Sequence, residues 1–161
     1  MPPTPTFTAL VRHPVHALAF GFGAGLAPRA PGTVGSLLAL PVYLVLAPFS
    51  APGYLVLLVV LLLIGVWATG RCERELGVHD HPGIVFDEIV GQLIALFPAP
   101  VHWFWLLTGF GLFRLFDIWK PWPIRWLNHR IPGGWGIMLD DVAAGIAAAL
   151  CLQGLIFVHG L

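Results

Sequence analysis

The sequence predicts an all-α, membrane-embedded bundle of about six helices, and three observations support this fold class. Hydrophobic residues make up 58% of the 161 residues and charged residues only 10%, against about 25% charged residues in soluble domains. Three long stretches carry no charged residue: residues 30–70, 89–113 and 142–161. Prolines and glycines divide these stretches into segments of helical length. We treat residues 1–161 as a single domain.

The first uncharged stretch holds two membrane-spanning helices, because one span requires roughly 20 apolar residues. The sequence APFSAPG at residues 47–53 contains two prolines and a glycine, which break helices. We therefore predict helices near residues 34–47 and 54–71. The apolar N-terminal segment lacks a clean signal-peptide core, and we expect it to be a retained interfacial helix over residues 7–21.

The second uncharged stretch forms either one kinked span or a hairpin of two short helices around FPAPVHW, residues 97–103. In the hairpin, every Lys, Arg, Asp and Glu lies on one side of the membrane, as the positive-inside rule expects of a cytoplasmic face. In a single span, His102 would lie unpaired near the middle of the membrane at a large energetic cost. We favour the hairpin, with a short third helix near residues 84–97 and four to five spans in all.

Five carboxylates come from three segments that this topology brings to one membrane face. They are Asp87 and Glu88 in FDEIVG, Asp117 in LFDIWK, and Asp140 and Asp141 in MLDDVAAG. Clustered carboxylates at a helix end predict a bound cation, and oxygen ligands favour Mg²⁺ or Mn²⁺ over zinc. Because successive helical residues point about 100° apart, we expect one of the last two aspartates to bind the metal and the other to orient a second group.

Two basic residues lie close to Asp117 in the sequence. Arg114, Asp117 and Lys120 are three residues apart, which places them along one helical face. They form either a local ion-pair ladder or a site in which the aspartate binds metal and the two cations face a phosphate. The zero net charge and the lack of adjacent Lys or Arg residues exclude a nucleic-acid binder.

Two further motifs supply candidate residues. In PGTVGS at residues 31–36, we expect Thr33 to cap a helix whose first-turn N–H groups attract phosphate, with Gly32 and Ser36 beside it. In VHDHP, His79 and His81 flank an aspartate. This cluster is either a polar loop or the source of a general base that folds over the site.

These motifs resemble the bacterial phosphatidylglycerophosphatase A family. The matching stretches are GFGAGL with PGTVGS, GVHDHPGIVFDEIVGQ, FRLFDIWKPWPIRW and GGWGIMLDDVAAG, in the family's order between Gly21 and Gly145. The resemblance implies an all-helical, multi-pass, Mg²⁺-dependent hydrolase of the bacterial inner membrane, with its active site facing the cytoplasm. Its phospholipid substrate would be phosphatidylglycerophosphate, hydrolysed to phosphatidylglycerol on the route to cardiolipin.

The resemblance also implies which residues form the site. The acidic motifs of the family carry over onto the five carboxylates, and its basic motif carries over onto Arg114, Lys120 and Arg125. From their chemistry we expect the five carboxylates to be catalytic and metal-binding, the three basic residues to hold the phosphate, and Lys120 to be catalytic as well. We expect attack by metal-activated water rather than an aspartyl-phosphate, because the DxDxT motif is absent. The alternative function is a cation transporter or channel subunit that uses the carboxylates as an ion site. Neither the oligomeric state nor the number of metal ions follows from the sequence.

Overall fold

The computed structural model describes residues 5–78, 81–97, 99–122, 124 and 131–160, and these residues form helices and no strand. The predicted all-α class is therefore confirmed for this part of the chain. The helices are α1 (Phe7–Arg12), α2 (Pro14–Ala19), a 3₁₀ helix (Gly21–Leu26), α3 (Pro31–Leu46), α4 (Ala51–Leu76), α5 (Phe86–Ala95), α6 (Trp103–Trp119) and α7 (Gly133–Val158).

The predicted N-terminal helix over residues 7–21 is divided, so the prediction of one continuous helix was wrong. His13 has extended backbone angles (φ −123°, ψ 92°), because the proline that follows disfavours helical geometry at the preceding residue. Pro14 then begins α2, since its fixed φ suits the first helical position. The location of α1 and α2 at a membrane interface stays a prediction.

Helix α5 lies at the centre of the bundle and packs against α3, α4, α6 and α7. It is separated from α6 at the turn predicted near residues 97–103, as the hairpin requires. Its 10 residues extend about 15 Å, half of a ~30 Å hydrocarbon core. The rest of the protein buries eight of these residues. Helix α5 is therefore surrounded mainly by protein, and it is too short to cross a membrane by itself.

Two helices of the described residues, α4 and α7, are long and apolar enough to cross a membrane. Each has 26 residues and extends about 39 Å. Apolar side chains such as Val56, Val59 and Leu63 point outward from α4, as lipid-facing residues do. These features support association with a membrane, while the four to five spans and the cytoplasmic orientation stay predictions.

Two glycines allow α5 and α7 to approach until their backbones touch. A Cβ added at Gly91 would lie 2.7 Å from the backbone oxygen of Asp141, and one at Gly145 would lie 2.4 Å from the backbone oxygen of Gly91. A larger residue at either position would push the helices apart. This close contact brings Asp141 of α7 beside the acidic first turn of α5.

Candidate cation and phosphate site

Three carboxylates from two helices meet at one point. Asp87 and Glu88 lie in the first turn of α5, Asp141 lies in α7, and one oxygen of each lies within 4.8 Å of the others. The residues Asp87 and Asp141 are only 7% and 2% exposed. The start of a helix favours negative charge, but three carboxylates at this spacing, two of them buried and Glu88 half-buried, repel one another. A cation bound between them would offset the repulsion.

These three carboxylates, the carboxylate group, offer only oxygen atoms as ligands. They therefore suit a small cation that prefers oxygen. One oxygen of each carboxylate lies close enough to the other two for all three to be offered to one ion, and carboxylate oxygens are the ligands that Mg²⁺ prefers. In addition, Oε2 of Glu88 is buried and has no hydrogen-bond partner among the described residues, which leaves it available as a ligand. Asp87, Glu88 and Asp141 are therefore the residues that would hold Mg²⁺.

The other two predicted ligands contact basic side chains. Asp117 Oδ2 accepts from Arg114 Nη1 at 2.5 Å, and Asp140 Oδ2 accepts from Lys120 Nζ at 2.5 Å. Lys120 Nζ also lies 3.9 Å from Asp117 Oδ1. Asp117 is in turn a neighbour of Asp141, so it connects the basic residues to the carboxylate group. The consecutive aspartates of α7 thus have different partners, as their angular offset requires.

Lys120 reaches α7 from the end of α6. Its backbone is left-handed (φ 43°, ψ 61°), which is uncommon outside glycine, and its N–H donates to the Phe116 carbonyl at 2.8 Å. Burial alone would lower the pKa of Lys120, but the nearby carboxylates, with Asp140 foremost, raise this pKa above its ordinary value. The ammonium group therefore stays charged at neutral pH.

Helix α3 begins at Pro31, so the prediction that Thr33 caps it was wrong. Ala30 is the capping residue in a left-handed conformation (φ 48°), and proline occupies the first helical position that suits it. The Thr33 N–H is already used, because it donates to the Ala30 carbonyl at 3.0 Å. Ser36 consequently lies in the second turn of α3.

Gly32 and Ser36 nevertheless lie at the site. A Cβ on Gly32 would lie 2.1 Å from Glu88 Oε1 and 3.4 Å from Arg114 Nη1. The Ser36 hydroxyl donates to the Gly32 carbonyl at 2.9 Å and accepts from Arg114 Nη1 at 3.4 Å. Arg114 therefore joins α3 to Asp117 on its own helix, and it holds a basic group beside the carboxylates.

His81 is buried in the loop before α5. Its Nδ1 accepts from the Gly83 N–H at 3.0 Å, its ring packs on Phe20 with centroids 5.4 Å apart, and burial lowers its pKa. Because Nδ1 accepts, the neutral ring carries its proton on Nε2, which is therefore a hydrogen-bond donor. The role of general base stays a prediction. His79 and Arg125 lie outside the described residues.

Sequence analysis did not single out Gln92, which lies one turn after Glu88 on the same face of α5. Gln92 is fully buried, and neither the nitrogen nor the oxygen of its side-chain amide has a hydrogen-bond partner among the described residues. A buried amide is costly unless it is paired. The signal that could have identified Gln92 is the presence of one amide in an otherwise apolar run after the acidic pair.

Comparison with known proteins gives consistent matches. The family model described as Phosphatidylglycerophosphatase A matches residues 17–156. Phosphatidylglycerophosphatase A of Escherichia coli is 44% identical over 138 residues, covering 85% of this chain and 80% of the relative. The Haemophilus influenzae protein of the same name is 42% identical over 140 residues, covering 86% of each.

A third relative bears a different name. A protein of Bacteroides thetaiotaomicron, provisionally named a phosphatidylinositol-3-phosphatase, is 40% identical over 134 residues, covering 78% of this chain and 83% of the relative. No solved structure matches the chain. The resemblance drawn from the motifs is confirmed, because the family model and the relatives all cover most of the sequence. The chain belongs to the phosphatidylglycerophosphatase A family.

Proposed function

We propose that this chain is a membrane-bound, Mg²⁺-dependent lipid phosphatase that hydrolyses phosphatidylglycerophosphate to phosphatidylglycerol and phosphate. The observation that carries the proposal is the carboxylate group of Asp87, Glu88 and Asp141 with basic residues beside it. Phosphate monoesters require such a combination, since the anionic group must be bound and its charge neutralised during transfer. The names of the two more similar relatives support the choice of substrate.

The carboxylate group would hold Mg²⁺, which when bound would neutralise phosphate charge and activate water for attack on phosphorus. In the reaction, the water oxygen forms a bond to phosphorus while the bond from phosphorus to the glycerol oxygen breaks. The glycerol oxygen leaves with a proton, so the products are an alcohol and inorganic phosphate. The burial of Asp87 and Asp141 away from water strengthens the electrostatic contacts at the site.

The two basic side chains would bind the transferred phosphoryl group. The Nε of Arg114 is buried and has no hydrogen-bond partner among the described residues, so it can donate to a phosphate oxygen. Lys120 offers a charged ammonium group on the other side of Asp117. Asp117 and Asp140 hold these cations in place, which fixes donors before the substrate arrives.

The orientation of the bundle supports a site at a membrane face. The carboxylates lie in the first turn of α5 and about two turns into α7, while Arg114 lies in the second half of α6 and Lys120 follows its last residue. These parts of α5, α6 and α7 lie at the same end of the bundle, because the carboxylates of α5 and α7 lie close together and Lys120 donates to Asp140. We infer that this end of the bundle faces the cytoplasm of a bacterial inner membrane, where all the charged residues of the hairpin topology lie.

Purified full-length chain in detergent tests the proposal. Phosphate release is measured with phosphatidylglycerophosphate, with phosphatidylinositol 3-phosphate and with glycerol 3-phosphate, each with Mg²⁺ and with EDTA. We expect chelator-sensitive release that is fastest for phosphatidylglycerophosphate, and we expect Asp87→Asn to abolish it. Cation flux in vesicles without hydrolysis would instead support the transporter and overturn the proposal.

A further inference from the structure

We propose that the side-chain amide of Gln92 is a further catalytic group, which binds the attacking water through Oε1 and a phosphoryl oxygen through Nε2. Gln92 is fully buried in α5, and neither atom of its amide has a hydrogen-bond partner among the described residues. An amide in such a place is destabilising unless a ligand completes its hydrogen bonds. The inference rests on the proposed function, because the water and the phosphoryl group are the reactants of that hydrolysis.

Gln92 lies on the side of α5 that faces α3 and α6. Glu88 comes one turn before it and Leu96 one turn after it, so the three side chains form one stripe along the helix. A Cβ at Gly32 of α3 would lie 2.1 Å from Glu88 Oε1. A Cβ at Gly109 of α6 would lie 2.7 Å from Leu96 Cδ2. The Gln92 side chain is therefore enclosed between α3 and α6, one turn further into the bundle than Glu88.

From this position the Gln92 side chain extends towards the carboxylate group. Each Cα–Cβ bond of an α-helix is tilted towards the N-terminus of the helix, so a long side chain covers the turn that precedes it. For Gln92 that turn carries Glu88, whose Oε2 is likewise buried and without a hydrogen-bond partner among the described residues. The same holds for Nε of Arg114 on α6. The amide therefore belongs to the buried polar region that would hold the cation and the phosphate.

The two atoms of the amide require different partners. Oε1 only accepts hydrogen bonds and Nε2 only donates them. An ionised phosphoryl oxygen can accept from Nε2 but has no proton for Oε1, and a cation can bind only Oε1. Attack of water on a phosphate monoester supplies both partners side by side, because the water donates and the phosphoryl oxygens accept. A structural water would also satisfy both atoms, but its loss would change stability rather than turnover.

The amide acts by orientation, because it stays neutral and exchanges no proton. In the hydrolysis, a lone pair of the water oxygen forms the bond to phosphorus as the bond from phosphorus to the glycerol oxygen breaks. One water proton remains on the new phosphate oxygen and the other ends on the glycerol oxygen. The amide fixes the direction of the water relative to one phosphoryl oxygen, which is the geometry that the attack requires.

Gln92→Met gives the first test, because methionine has a similar length and no amide. Removal of an unpaired buried amide should leave the thermal midpoint of the chain without Mg²⁺ or substrate equal or higher. With phosphatidylglycerophosphate and Mg²⁺, kcat should fall about 100-fold with KM close to that of the parent, since orientation acts on the transition state. Leu93→Met is the matched control at an equally buried position of α5, and it should keep the parent kcat. A parent-like kcat in Gln92→Met would overturn the proposal.

Nitrogen NMR of the full chain gives a second test that needs no turnover. The chain has two glutamines, Gln92 and Gln153, so side-chain ¹⁵N labelling of glutamine gives two amide signals, which Gln153→Met assigns. Gln153 lies 12 residues after Asp141 in α7, about 18 Å along the helix, and is the internal control. The probe is a non-hydrolysable phosphonate analogue of phosphatidylglycerophosphate, added with Mg²⁺ until phosphate release is fully inhibited.

We expect this probe to shift the Gln92 signal and to leave the Gln153 signal in place. An unshifted Gln92 signal in an active, fully inhibited chain would refute the role of Gln92 and retain the proposed function. A parent chain that releases no phosphate would instead refute the proposed function, and with it the catalytic role of the amide.

Discussion

The Glu88 carboxylate lies directly against Gly32, and a Cβ at residue 32 would lie 2.1 Å from Glu88 Oε1. The glycine at the start of α3 thus leaves the space that this carboxylate occupies. Arg114 lies on the other side of the same space, 3.4 Å from that Cβ position. The beginning of α3 is therefore a wall of the carboxylate site as well as a candidate phosphate contact.

Gly32→Ala should displace Glu88 and lower phosphate release by about 100-fold, the effect of moving a catalytic group by roughly 1 Å. Alanine is ordinarily favoured over glycine within a helix, so a loss of activity would come from the contact with Glu88. Gly111→Ala on α6 is the matched control, since a Cβ there meets no atom within 4 Å. Parent-like activity in Gly32→Ala would show that the Glu88 position is not required.

Lys120→Met should destabilise the chain by about 2 kcal/mol, because it removes the Lys120 ammonium from the buried Asp140 carboxylate. The value lies below the usual cost for a buried pair, since the Lys120 side chain is 31% exposed and solvent screens part of the interaction. Lys120→Met combined with Asp140→Asn should recover at least half of the loss in thermal unfolding measurements. Strictly additive effects of the two changes would argue against the ion pair.

The pH dependence of stability should include a contribution from His81. Its folded-state pKa lies below the unfolded value of about 6.5, so the unfolded chain binds the proton more readily. The neutral His81 ring therefore contributes fully to the stability of the folded chain above the unfolded-state pKa. This contribution is lost as the pH falls through that value towards the folded-state pKa.

His81→Asn should therefore reduce the fall in the thermal midpoint between about pH 7 and pH 5, while its side-chain oxygen still accepts from the Gly83 N–H. The same fall in parent and variant would contradict a buried neutral histidine.

The sequence was sufficient for the features that depend on local pattern. Composition and uncharged stretches predicted the helices, prolines predicted the break between α5 and α6, and the acidic motifs located Asp87, Glu88 and Asp141. The predicted start of α3 lies too late in the chain, because the helix begins at Pro31, whose fixed φ suits the first helical position, and not after Thr33. The division near His13 was missed although Pro14 signals it.

Contacts between helices that are distant in the sequence could not be predicted from local sequence patterns. The angular offset between Asp140 and Asp141 shows that they differ, but only the packing of α6 against α7 shows that Lys120 meets Asp140. The approach of α5 to α7 depends on Gly91 and Gly145, and a glycine in a sequence does not identify the backbone that it will meet.

The most direct test of the cation site is a Mg²⁺ titration of the parent chain, Asp141→Asn and Asp140→Asn after EDTA treatment. Phosphate release from phosphatidylglycerophosphate and the thermal midpoint are both recorded. Mg²⁺ should restore activity and raise the midpoint in the parent, should do neither in Asp141→Asn, and should still raise the midpoint in Asp140→Asn. Full activity of the parent in EDTA, or a normal Mg²⁺ response in Asp141→Asn, would contradict a catalytic cation held by Asp87, Glu88 and Asp141.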